Sequence, residues 1–258
     1  MGTSSSFKGK VGNALLPNDF NSDDDMLDEN IGNEDYKDDD DKNTTENSIN
    51  WTTAKTSMSK YISSSGKVGS LKSIVRNYIK ASGGSNRLIS NSSNSRAAAS
   101  KIGNILIRFT TQGIGKTLDD IGLSLQYCSL PEAMSRLVNY VQDSAVSKND
   151  VAIRTATANT FEKLIELKVD DDRVDQSTAT VLMQYFMADL LWQQMLIDFG
   201  YSFEKYGNDL NMLIKVEAEM KEYIKANVEE AFRRNKGTFF SQDMYDDIMK
   251  TCLEIMEE

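Results

Sequence analysis

Proline stands at only two of the 258 positions, Pro17 and Pro131. The long intervals between and after them lack the one residue that has no backbone N–H and costs a helix interior about 3 kcal/mol. A chain so poor in breakers suits long helices, and its side-chain pattern agrees. Leu71, Ile74, Val75, Tyr78 and Ile79 recur at the spacing of one amphipathic stripe. Another helix is expected from Ser95 or Arg96 through RAAASKIGNILIRF, with more near 131–145, 150–168, 177–199, 209–234 and 241–257. Asn149 and Ser241 stand at N-cap positions, and Gly200 and Gly237 where helices would stop. No stretch alternates at period two between turn signals, so no sheet is expected.

The most apolar helix, around Leu182 to Ile197, carries Tyr185, Phe186, Met187, Leu190, Leu191, Trp192 and Met195 nearly all round and should be the central core element. In the apolar stretch Val181 to Phe199, Asp189 near the middle and Asp198 near the end argue for a buried helix over a membrane span. The next helix turns Leu213, Val216, Met220, Tyr223, Ile224, Val228 and Phe232 toward it, and Met244, Ile248, Cys252 and Ile255 mark a closing helix. The expected class is all-α. An irregular helical bundle over 95–258 follows a long disordered acidic tail (1–50), a loosely attached basic helical segment (51–82) and a flexible Ser/Gly/Asn connector (83–94).

Histidine is absent, which excludes histidine general bases, imidazole metal ligands and Ser-His or Cys-His pairs. Cys128 and Cys252 are too few and too far apart for a disulfide framework or a CxxC zinc site, and are expected to pack as reduced core residues. The start, MGTSSSFKGKVGNALLP, lacks the apolar core of a secretory signal. A cytoplasmic protein without metal or membrane partner is expected.

Charge is segregated along the chain. Residues 19–46 hold thirteen acids against Lys37 and Lys42, whereas residues 47–116 hold eleven Lys and Arg and no acid. Within the acidic stretch, Asp35 to Lys42 reads DYKDDDDK, identical to the FLAG epitope, and is set aside from fold reasoning. A tag placed inside the chain implies that a free terminus matters, here the first, and that residues 18–50 tolerate insertion as an exposed linker.

Three motifs invite a chemical reading. TTQGIGKT ends like a phosphate loop at Gly115, Lys116 and Thr117, but Thr110 replaces its first glycine, and a helix–glycine turn–helix connection fits better. Lys72, Arg76 and Lys80 stack at i, i+4 and i+8, and Arg87, Arg96, Lys101 and Arg108 follow, so segment 55–116 offers a surface for a phosphate backbone, an acidic partner or solvent. Asp170, Asp171 and Asp172 lack the ligand spacing of a calcium loop and read as a turn. The N-terminus is the most specific feature. With Met1 removed, Gly2 presents an unhindered α-amine whose pKa of about 7.7–8.0, against about 10.4 for lysine, makes it the natural amine for acylation. MGTSSS also satisfies the short myristoylation pattern through Gly2 and Ser6, a weak signal.

The opening MGTSSS, the LLP of Leu15 to Pro17, the acidic linker, the W-x-x-A-K from Trp51 to Lys55 and the SRAAAS from Ser95 to Ser100 together resemble the QatB family of the bacterial Qat anti-phage defence system. The resemblance implies a non-enzymatic subunit encoded beside an ATPase, a QueC-like enzyme and a TatD-like DNase. It suggests Gly2 as the acceptor of a 7-deazaguanine in amide linkage, with Thr3, Ser4, Ser5, Ser6, Leu15, Leu16 and Pro17 recognised by the QueC-like partner. The helical body would dock that enzyme or the ATPase. The competing expectation is a nucleic-acid adaptor, its basic surface formed by Lys72, Arg76, Lys80, Arg96 and Lys101 and serving the DNase.

Overall fold

Short polar side chains cap the start of five of the helices. The computed structural model describes residues 51–143, 145–167, 173–235 and 242–258, all within one compact unit, Asn47–Glu258. Eleven helices and no strand occur among them, as the periodicity predicts. They are α1 (Trp51–Ser63), α2 (Leu71–Ala81), α3 (Ser85–Ser90), α4 (Ser93–Thr111), α5 (Ile114–Asp120), α6 (Leu130–Val141), α7 (Lys148–Glu166), α8 (Gln176–Asp198), α9 (Gly200–Glu204), α10 (Leu210–Arg234) and α11 (Gln242–Glu257). Ser70, Ser129, Asp175 and Asp209 each accept a backbone N–H of the first turn of α2, α6, α8 and α10. Pro131 sits in the first turn of α6, where its missing N–H costs nothing.

The central element is α8, as its all-round apolarity predicts. It packs against α7, α10 and α4, with Leu182, Phe186, Leu190 and Met195 fully buried. Helix α10 contributes Val216, Met220, Ile224 and Val228, and α11 closes over α10, α2 and α4 with Ile248, Cys252 and Met256. Burial pushes the Cys252 thiol up to about 12, so this cysteine packs as an inert apolar residue. No helix among the described residues is long and apolar enough to cross a membrane.

Three expectations need correction. Segment 51–82 is not loosely attached: Ala54, Met58 and Ile62 of α1 and Ile74, Val75 and Ile79 of α2 lie in the same core as α8, α10 and α11. The α1–α2 pair closes on α9, α10 and α11, which supply the apolar surface that two short helices lack by themselves. The connector 83–94 is not a plain linker: it holds α3 and the start of α4, and Leu88 and Ile89 anchor it on the core. Gly84 at φ 88° makes the turn into α3 that an L-residue would resist. Asn149 does not cap α7; Ser147 does, in a reciprocal box with Asp150. Helix α8 stops where Gly200 predicts, with Phe199 as its cap, and Gly200 then opens α9. The expected cap at Ser241, the stop at Gly237, the acidic run Asp170 to Asp172 and the whole tail 1–50, with its tag, lie outside the described residues.

Candidate functional site

The capping box of α7 is where the site begins. Ser147 Oγ accepts from Asp150 N at 3.1 Å while Asp150 Oδ2 accepts from Ser147 N at 3.0 Å, and this fixes where Lys148 and Asn149 stand in the first turn. Asp150 also accepts from Asn94 Nδ2 at 3.1 Å and Gln142 Nε2 at 3.0 Å, which ties α4 and the α6–α7 connection to the same carboxylate. This wealth of donors, the Ser147 backbone foremost, holds its carboxyl below the ordinary range.

From α7, Asn149 Oδ1 accepts from Gln194 Nε2 at 2.7 Å and Ser95 Oγ at 3.2 Å, so α4, α7 and α8 share one amide-centred knot. One turn on, α8 ends at Asp198. Its Oδ2 accepts from Tyr78 Oη of α2 at 3.2 Å, and its Oδ1 lies 3.9 Å from Lys148 Nζ. Behind them Tyr78 makes edge and tilted contacts with Trp51 and Phe199, at 5.8 and 5.6 Å between ring centroids. Tyr78, Lys148, Asn149, Gln194 and Asp198, with Leu88 from α3, Asn91 and Ser92 from the α3–α4 connection and Ile197 from α8, line an open cleft of about 210 Å³.

Electrostatically the cleft is the opposite of the capping box. Partial burial raises the Asp198 carboxyl, and the Tyr78 hydroxyl and the two lysines Lys148 and Lys55 only partly offset this. Burial, then the Asp198 charge, pushes the Tyr78 phenol far up, so it stays protonated and acts as a donor. The lining therefore combines a carboxylate poor in donors, side-chain amides and apolar walls, a composition suited to binding an N–H donor.

The basic residues fare differently from one another. Lys72 and Lys80 are exposed on α2, as the stripe predicts. Arg76 is half-buried and donates to the Glu257 carbonyl of α11. Arg96 pairs with Asp246 at 2.7 Å and reaches the Ile89 carbonyl at 3.3 Å. Lys101 donates to the Val141 carbonyl at 3.0 Å, where α6 ends. Three of the five surface cations thus hold helices together. The TTQGIGKT motif is the expected helix–turn–helix: α4 stops at Thr111, Gly113 turns at φ 95°, and Thr117 Oγ1 donates to the Gly113 carbonyl at 2.6 Å. Lys116 points to Asp120 across 3.7 Å, one turn along α5. No group of three or more His, Cys, Asp or Glu that could hold a metal occurs among the described residues.

In the sequence Asp198 is only a charge in an apolar run and Asn149 only a candidate cap. An acid ending the most apolar helix was a usable signal. Its partner Tyr78, 120 positions away, was not readable without the fold. Gly2, Thr3, Ser4, Ser5, Ser6, Leu15, Leu16 and Pro17 lie outside the described residues.

Comparison with known proteins returned no match among curated proteins and none among solved structures. A family model described as Qat anti-phage system associated protein QatB matches residues 83–256, about two thirds of the chain. The match runs through the helical body from α3 to α11 and includes the SRAAAS stretch, while MGTSSS, LLP and W-x-x-A-K precede it. The chain belongs to the QatB family and so to the components of the Qat anti-phage defence system.

Proposed function

We propose that this chain is the non-enzymatic acceptor and docking subunit of its defence complex, working in the bacterial cytoplasm. A QueC-like partner uses ATP to convert the carboxylate of a carboxy-deazaguanine into an acyl adenylate, releasing pyrophosphate. The neutral Gly2 amine attacks the acyl carbon, AMP leaves, the amine gives up a proton to a base, and an amide joins the deazaguanine to the protein. Thr3 to Ser6 and Leu15 to Pro17 are the residues that the partner's pocket reads, and the chain needs no cofactor of its own. The observation that carries the reading is the small, unhindered Gly2 heading GTSSS in a chain of an anti-phage family. The continuous core from α1 to α11 supports the docking role, because it offers the QueC-like enzyme or the ATPase one firm body.

The test is plaque formation on cells carrying the complete system. Replacing Gly2 with a bulky residue that blocks Met1 removal should abolish protection. Undiminished protection refutes the acceptor role.

One observation keeps a second reading in play. Lys60, Lys67, Lys72, Lys80 and Arg87 remain exposed on α1 to α3 and the turn between α1 and α2, a surface that a nucleic acid held for a TatD-like DNase could use. Binding through it would weaken steeply with salt and vanish on reversing Lys72 and Lys80, with Gly2 modification intact.

A further inference from the structure

Asp150 and Asp198 differ in how far the protein fills their acceptor sites. The first is saturated with donors, whereas Asp198 receives one hydroxyl at 3.2 Å and one distant ammonium. A carboxylate offers about four acceptor sites, so most of the capacity of Asp198 is unused by the protein groups around it. Asp189, the other acid raised by burial, is 7 % exposed and takes amide donors from Asn159 and Gln193, so it has no comparable opening. Only Asp198 of these three lines the cleft.

We propose that the cleft is a guanidinium-binding site, in which Asp198 receives two parallel N–H donors and Asn149, Gln194 and Ser92 surround the remaining ones. Leu88 and Ile197 supply apolar walls for the faces of the planar group, which is weakly hydrated and stacks readily. Lys148 fills this place only loosely: its Nζ lies 3.9 Å from Asp198 Oδ1, and its side chain stays 77 % exposed. Lys148 is thus a displaceable counter-ion. The charged and titratable groups facing Asp198 are Tyr78, Lys148 and Lys55, so binding needs the ionised carboxylate and fades as pH falls through its raised pKa. This site is independent of the Gly2 reading.

The guanidinium can come from a partner protein's arginine or from a free guanidino compound. N-acetyl-arginine amide, agmatine and the neutral isostere N-acetyl-citrulline amide, titrated calorimetrically at millimolar concentration into wild type, D198N and K148A, separate the cases. The expected result is saturable arginine-amide binding, weakened about tenfold in D198N through loss of a charge-assisted hydrogen bond and tightened in K148A. Preference for the amide assigns the site to a partner's arginine, and equal or stronger agmatine binding assigns it to a free compound. D198N keeps an acceptor for Tyr78, and K148A alters an exposed side chain, so folding is preserved in at least one variant. No saturable binding, equal binding of the citrulline amide, or unchanged affinity in both variants overturns the proposal.

Discussion

Ile62 decides whether α1 is part of the body or an appendage. Its side chain is 0 % exposed, in a helix that packs on α2, α9 and α10. Ile62→Ala removes three carbons, each contributing ~0.8 kcal/mol by transfer from water, or about 2.4 kcal/mol together. The cavity left behind adds to this, for about 3 kcal/mol, inside the range seen for such truncations. In a chain of this size each kcal/mol lowers Tm by about 2–4 °C, so the variant should melt about 6–12 °C below wild type. Circular dichroism at 222 nm measures it, with Val68→Ala as the control, since Val68 is 57 % exposed in the turn between α1 and α2 and should shift Tm very little. A Tm for Ile62→Ala within about 1 °C of wild type would refute the single core and restore the loosely attached segment.

Three other outcomes follow from individual contacts. Lys72→Glu with Lys80→Glu should leave stability within about 0.5 kcal/mol, whereas Arg76→Glu should cost distinctly more, because Arg76 is half-buried against the end of α11; urea midpoints report the difference. Lys116→Ala should change Tm by no more than about 1 °C, since its pair with Asp120 is exposed, and added nucleotide should produce no thermal shift in either protein. Burial, only partly offset by Asn159, Gln193 and Lys221, raises the Asp189 carboxyl, with Glu217 adding to the rise. A folded-state pKa above the unfolded value of about 3.9 means the native state holds the proton more tightly, so this group's contribution is full at low pH and is lost as pH rises through the raised pKa. The wild-type urea midpoint should therefore fall over that window relative to Asp189→Asn, and parallel curves would contradict the assignment.

The local periodicities were legible because they depend on neighbours in sequence. The stripe from Leu71 to Ile79 gave α2, the all-round apolarity near Trp192 gave the central α8, and Gly113 gave the turn that dissolves the phosphate-loop reading. What was not legible depended on distant partners. The composition of SGGSNRLISNSSNS reads as a linker, yet Leu88 and Ile89 find core surface because α11 and α2 pack beside α3. Ser147 outcompetes Asn149 for the cap because Asp150 completes its box, while Asn149 is drawn to Gln194 and Ser95. The cations in the acid-free segment looked alike, but Arg76, Arg96 and Lys101 each meet a carbonyl or carboxylate at least 39 positions away. The cleft joins α2, the α3–α4 connection, α7 and α8, and no local pattern announces such a meeting.

The proposed function resides at the first residue after Met1. Mass spectrometry of the tryptic peptide Gly2 to Lys8, from protein expressed with and without the proposed QueC-like partner, tests this. A deazaguanine increment on the Gly2 amine that requires that enzyme is the expected result. An unmodified Gly2 in both samples, from cells that still resist phage, would contradict it.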